Sequence, residues 1–251
     1  MSLLTRDELD KYAVLVDKLP PTQRKKIEQL LEMDRIARCR DSFLFFATEM
    51  WPAFIGGGHH KIMAEAFERV ASGKLKRLII NMPPRHTKSE FASYMLPAWF
   101  LGKFPEKKII QTAHTAELAT GFGRKVRNLV SSEKYQKVFQ TKLSTDSKAA
   151  GRWSTDKEGE YFAIGVGGAV TGKGGDILII DDPHSEQEAK QNNPAVFDAV
   201  YEWYTSGPRQ RLQPGGAIIV VMTRWAKRDL TGQILKKASQ DGVDQWEVIE
   251  F

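Results

Sequence analysis

Apolar positions along this chain keep two periods, and the change from one to the other divides it. After Pro20-Pro21, Ile27, Leu30, Leu31 and Ile36 recur at near-helical spacing, with Thr22 placed to cap the start. Another helical segment is predicted ahead of the prolines, so residues 1–40 read as a small helical segment of their own. Asp41–Trp51 predicts an aromatic helix ended by Pro52 and the Gly56-Gly57-Gly58 run, and His60–Ala71 a further helix stopped at Gly73. Beyond residue 75, short β-branched runs alternate with helical periods. Strands are predicted near 76–81, 108–113, 160–164, 177–181, 217–222 and 246–251, and helices over 88–101, 115–131, 195–205 and 227–239. Runs that are apolar on both faces belong inside a sheet covered on both sides. The expectation for residues 41–251 is therefore an α/β domain with a largely parallel central sheet flanked by helices.

Composition narrows the classes. At 251 residues, 41% hydrophobic and 27% charged, the chain can bury one large core and reads as an ordinary soluble protein. The net charge of +6 mildly favours a polyanionic partner. Dense basic charge at Arg24, Lys25, Lys26, Arg35, Arg38 and Arg40 fits either a solvated helix face or DNA contact. A single cysteine, Cys39, excludes an intrachain disulfide and a Cys-rich zinc cluster, and suits a reducing compartment. No apolar run approaches the roughly 18–20 residues of a membrane span. Met1–Asp10 is too polar for a secretory signal, so an intracellular protein with no membrane partner is expected.

Chemistry enters where predicted strands end. Leu78-Ile79-Ile80-Asn81 runs into Met82-Pro83-Pro84-Arg85-His86-Thr87-Lys88-Ser89-Glu90 and then into a helical pattern. That is the layout of a phosphate-cradling loop. Backbone N–H groups and a helix N-terminus face the anion, the lysine reaches the β/γ-phosphates, and the hydroxyl serves Mg²⁺. The loop departs from G-x-x-x-x-G-K-S/T, with Met82 and Thr87 where glycines would stand. A proline-stiffened turn with a surface lysine is the plain alternative.

A second run, Ile177-Leu178-Ile179-Ile180, ends in Asp181-Asp182. Asp181 suits Mg²⁺ and Asp182 the orientation of an attacking water; Glu186 or Glu188, at the start of the next helix, are alternative bases. A third run, Ala217–Met222, ends in Thr223-Arg224, placed to sense a γ-phosphate and relay it to a moving part. Each also reads singly as an ordinary strand end. Their order, each after a β-branched strand, points to a nucleotide motor.

Together these segments resemble the ATPase portion of tailed-bacteriophage terminase large subunits, the DNA-packaging motors. The resemblance rests on Pro83–Glu90, Thr171-Gly172-Lys173-Gly174-Gly175-Asp176, Ile179–His184, and Thr223-Arg224-Trp225 with Asp229-Leu230-Thr231-Gly232. It implies a P-loop NTPase of the RecA-like (ASCE) kind using ATP and Mg²⁺. Pro84, Arg85, His86, Thr87, Lys88, Ser89 and Glu90 would surround the phosphates, with Arg85 a cis-acting arginine, and Trp51, Phe54 and His60 would lie on the adenine side. Lys173, Arg124 or Arg127 would act on a neighbouring subunit's ATP in a homo-oligomeric, pentameric ring. The implied partners are double-stranded DNA, a portal protein and procapsid, and a small terminase subunit, in the host cytoplasm. The family's RNase H-like nuclease has no counterpart before Phe251, so no DNA cleavage is expected. Two alternatives stay open: a helicase-like or repair-associated ATPase, and a non-enzymatic basic DNA-binding module with a degenerate loop.

Overall fold

Strands apolar on both faces lie side by side so that helices can cover each face. The computed structural model describes residues 11, 20–191, 193–239 and 244–251; the helix predicted before Pro20 lies, but for residue 11, outside them. The strands are β1 (Arg77–Asn81), β2 (Lys108–Ala113), β3 (Leu143–Ala149), β4 (Arg152–Thr155), β5 (Glu160–Gly165), β6 (Gly175–Asp181), β7 (Leu212–Met222) and β8 (Glu247–Glu250). They form one sheet in the order β3-β4-β5-β2-β6-β7-β1-β8. All neighbours from β5 to β8 pair parallel, and β3 and β4 add an antiparallel edge. The helices are α1 (Pro21–Asp41), α2 (Phe43–Met50), α3 (Gly58–Ala71), α4 (Leu96–Lys103), α5 (Ala116–Val130), α6 (Glu133–Val138), α7 (Glu186–Gln191), α8 (Pro194–Ser206) and α9 (Leu230–Ala238).

Successive side chains of a strand point to opposite faces, and the core divides accordingly. Leu78, Ile80, Ile177, Ile179 and Ile219 pack with Phe43, Phe67, Phe91 and Trp99 on one face. Ile79, Leu178, Ile180, Ile218 and Val220 pack with Val200, Tyr204, Leu230 and Ile234 on the other. β7, distant in sequence from both, lies between β1 and β6, with Asn81 level with Met222 and Asp181 level with Val221. The carboxyl ends of these three strands therefore open on a common edge, where sheets of this kind bind ligands.

Several elements differ from expectation. Helix 88–101 is interrupted by a π-helical turn, Glu90–Met95, because Pro97 has no N–H to continue the ladder and crowds the preceding turn. Thr22 lies inside α1, which begins at Pro21 with no side-chain cap. The hairpin β3–β4 escaped prediction because Ser144, Thr145, Asp146 and Ser147 give β3 no apolar alternation and β4 is only four residues long; β4 is anchored by the buried Trp153, stacked on Tyr161 at 5.1 Å. The basic residues of α1 are partly paired on the spot: Arg38 with Asp34 at 2.7 Å, and Arg35 with Glu32 at 2.7 Å and Glu49 at 2.9 Å. Trp99 Nε1–H donates to the Cys39 carbonyl at 2.9 Å and Arg40 Nε–H to the Val138 carbonyl at 2.6 Å, which seats the end of α1 on the body. No helix among the described residues is long and apolar enough to cross a membrane.

One close approach depends on a missing side chain. A Cβ on Gly159 would lie 2.2 Å from the Pro105 carbonyl oxygen and 2.8 Å from that of Lys107, both backbone atoms that cannot swing away. Gly159→Ala is expected to destabilise by about 2 kcal/mol, seen as a melting temperature lower by roughly 4–8 °C. An unchanged melting curve would show that the β4–β5 turn relaxes freely.

Candidate active site

After β1 the chain passes through buried Met82 and the exposed Pro83-Pro84, then takes left-handed backbone at Arg85 (φ 64°) and Thr87 (φ 63°) before turning helical at Lys88. These reversals coil the loop around the edge of the sheet. The Lys88 side chain is buried, and its Nζ lies 2.7 Å from Asp182 Oδ2. Asp182, just past β6, is itself left-handed (φ 38°), and its other oxygen accepts the Thr223 N–H at 2.7 Å. Thr223 Oγ1 donates to the Met82 carbonyl at 3.1 Å. One carboxylate thus links the loop after β1, the end of β6 and the end of β7.

Asp181 is buried among donors from the helix that follows the loop. Ser89 Oγ donates to its Oδ1 at 2.9 Å and Ser93 Oγ to its Oδ2 at 2.8 Å, while Gln111 Nε2 donates to Ser93 Oγ at 2.9 Å. Burial, and then the neighbouring Asp182 charge, push its pKa up to about 7 against those hydroxyls. Sequence reading passed over Ser93 and Gln111. Ser93 carried a usable signal, standing four residues after Ser89 on the same helical face. Gln111 carried none, because only the β2–β6 pairing brings it close.

The alternative bases, Glu186 and Glu188, lie on α7. Glu186 pairs with Lys190 at 2.6 Å on the exposed face of α7, so that pairing, and no contact with Lys88 or Ser89, is what α7 gives it. Glu188 accepts the Ser185 N–H at 2.9 Å as Ser185 Oγ accepts its own N–H at 3.2 Å, closing a capping box. His184 is buried against Phe197, and its Nε2 accepts the Leu230 N–H at 3.0 Å.

Arg224 turns toward Asp229, with Nε 2.9 Å from Oδ2. Asp229 is fully buried and also accepts the N–H groups of Trp225 at 3.0 Å, Ala226 at 3.2 Å and Gly232 at 3.0 Å, capping α9. Asp229→Ala orphans these donors and removes the carboxylate that Arg224 Nε meets, leaving it Glu250 at 3.9 Å. It is expected to cost about 3 kcal/mol, measured as a shift in urea midpoint at constant slope. A loss under about 1 kcal/mol would show that water replaces the carboxylate. Met82, Pro84, Thr223, Arg224 and Phe251 border a cavity of about 310 Å³ beside the loop.

The remaining predicted residues scatter. His60 is buried in the first turn of α3, where its Nδ1 accepts the Gly57 N–H at 3.0 Å and its Nε2 meets Thr87 Oγ1 at 2.6 Å. Burial and then His59 lower its pKa to about 4, leaving the ring neutral at pH 7. Phe54 stacks on Phe91 at 5.6 Å and meets the Trp51 ring at 5.4 Å, so Trp51 and Phe54 join the aromatic core. Arg85 is exposed, His86 Nδ1 lies 2.9 Å from the Pro84 carbonyl, and Glu90 pairs with Lys125 of α5. Lys173 does not stand free: it pairs with Glu160 at 2.6 Å and lies over the Phe162 ring. Arg124 is exposed on α5, and Arg127, on the same helix, is half-buried beside Asn128.

No family model matches the sequence, and no curated protein does. Solved structures do. The crystal structure of the HK97 bacteriophage large terminase aligns with a TM-score of 0.52 and 16% identity, over 87% of this chain and 43% of that one. The chain thus spans less than half the length of that protein. A mutant of the Thermus phage P74-26 large terminase ATPase domain aligns with a TM-score of 0.50 and 15% identity, over 84% of this chain and 86% of that one. The mostly parallel sheet, with β7 between β1, which leads into the loop to Lys88, and β6, which carries Asp181, is the RecA-like P-loop fold, and this chain shares it with phage large-terminase ATPase domains.

Proposed function

We propose that this chain is the ATPase motor of a terminase large subunit, coupling ATP hydrolysis to the movement of double-stranded DNA into a procapsid. The observation that carries the reading is the meeting of Lys88 with Asp182 beside the buried Asp181–Ser89 pair, with residues from three strand ends at one edge of the sheet. Likeness to large-terminase ATPase domains supports the motor class, and the net charge of +6 suits a DNA partner. The portal, the small terminase subunit, the homo-oligomeric ring and the host cytoplasm belong to the same proposal.

The donor set suits Mg²⁺: a serine hydroxyl and a carboxylate are hard oxygen ligands, and a divalent charge would offset the burial that raises Asp181. Ser89 and Asp181 would hold the ion, which when bound neutralises charge on the phosphates. Lys88 binds the β/γ-phosphates by exchanging its Asp182 partner for phosphate oxygens. Asp182, released from the ammonium, is then free to accept a hydrogen bond from the attacking water. Thr223, bonded to Asp182 through its N–H and to Met82 through its hydroxyl, transmits that exchange to the loop and to β7. Arg85, exposed on the loop, is available to a phosphate oxygen.

Steady-state phosphate release with ATP and Mg²⁺, with and without a portal ring and double-stranded DNA, tests this. Hydrolysis is expected to need the metal, to fall to background in EDTA, and to rise with portal and DNA. A chain that neither binds nor hydrolyses ATP would leave the second alternative, a non-enzymatic basic DNA-binding module. Stimulation by DNA alone, with no response to portal, would favour the helicase-like one.

A further inference from the structure

Thr87 occupies the position that phosphate loops ordinarily give to glycine, and it holds φ at 63°. A β-branched residue resists that conformation, because its Cβ crowds the backbone where glycine has none. Such a conformation persists only when its surroundings impose it. Among the described residues, the side chain from outside the loop that hydrogen-bonds Thr87 is His60.

The direction of the bond is set by its neighbours. Gly57 N–H donates to His60 Nδ1 at 3.0 Å, which puts the ring proton on Nε2. Nε2–H then donates to Thr87 Oγ1 at 2.6 Å, and Oγ1 donates onward to the His86 carbonyl at 2.6 Å. The ring is held between Phe54, edge-on at 4.7 Å, and Phe91 at 5.1 Å. Phe91 also donates its N–H to the Thr87 carbonyl at 3.0 Å, so main chain and side chain of Thr87 are both fastened.

We propose that His60 is a positioning residue of the phosphate loop, whose Nε2–H holds Thr87 in the left-handed conformation that glycine would adopt unaided. The pair His60–Thr87 replaces the missing glycine and keeps the backbone N–H groups ahead of Lys88 aimed at a polyphosphate. This rests on the reading of the loop as an ATP site, and it assigns His60 an action through Thr87 rather than on the nucleotide base.

Binding of a fluorescent ATP analogue with Mg²⁺ to the wild type, His60→Phe, Thr87→Gly and the double variant tests it. Phenylalanine keeps the ring packing against Phe54 and Phe91 but carries no N–H, and circular dichroism confirms that each variant is folded. His60→Phe is expected to weaken binding about tenfold, while Thr87→Gly binds within about threefold of the wild type. In the Thr87→Gly background, adding His60→Phe is expected to cost less than about threefold. An equal loss in both backgrounds, no loss in either, or a Thr87→Gly variant that itself binds poorly would each overturn the latch while leaving the ATP site standing. A wild-type chain that binds no analogue overturns the ATP-site reading and the latch together.

Discussion

Replacing Lys88 by alanine is expected to lower ATP hydrolysis by at least about 10²–10³-fold while leaving the domain folded. The reaction asks the protein mainly for position and charge, and Lys88 supplies the ammonium nearest the acidic pair. Its loss leaves Asp182 without that partner, but Asp182 is about a third exposed and keeps the Thr223 N–H, so the stability cost is small. Circular dichroism and thermal melting should therefore barely move. Lys88→Arg should be inactive too, because a planar guanidinium cannot occupy the buried site of a compact ammonium. Hydrolysis by folded Lys88→Ala at the wild-type rate would remove the loop from the mechanism.

Asp182→Asn should lower kcat by about 10²-fold with analogue binding no weaker than in the wild type. The amide keeps the size of the side chain and an oxygen for the Thr223 N–H but loses the charge that competes for Lys88 and that the proposed mechanism uses to orient water. Glu186→Gln should leave kcat within about twofold, because Glu186 is exposed and engaged with Lys190. The opposite ranking of the two variants would transfer the base to α7.

Legibility differed by kind. The strands that lead to Lys88, Asp181 and Thr223 were readable because each is a compact β-branched run whose burial on both faces is written locally. The β3–β4 hairpin was not, since β3 is polar along Ser144–Ser147 and the four residues of β4 are too short a run to show that Trp153 is buried. The π-helical turn was foreshadowed by Pro97, a local steric fact that a simple helical period hides. Among site residues, Glu186 and Glu188 had the right chemistry beside the right motif. In the structure Glu188 closes a capping box and Glu186 an i, i+4 ion pair, short-range arrangements that the same residues satisfy.

The sequence alone therefore determined the alternation of strands and helices, the phosphate-loop layout and the acidic pair at 181–182, because each depends on residues within a few positions of one another. Tertiary structure decided which of them meet. The insertion of β7 between β1 and β6 brings Thr223 to Asp182, β2–β6 pairing brings Gln111 to the Ser93–Asp181 pair, and the seating of α3 brings His60 to Thr87. Those distances follow from strand order and register across dozens of residues, where a shift of one position exchanges the faces of a strand and no local pattern records the partner.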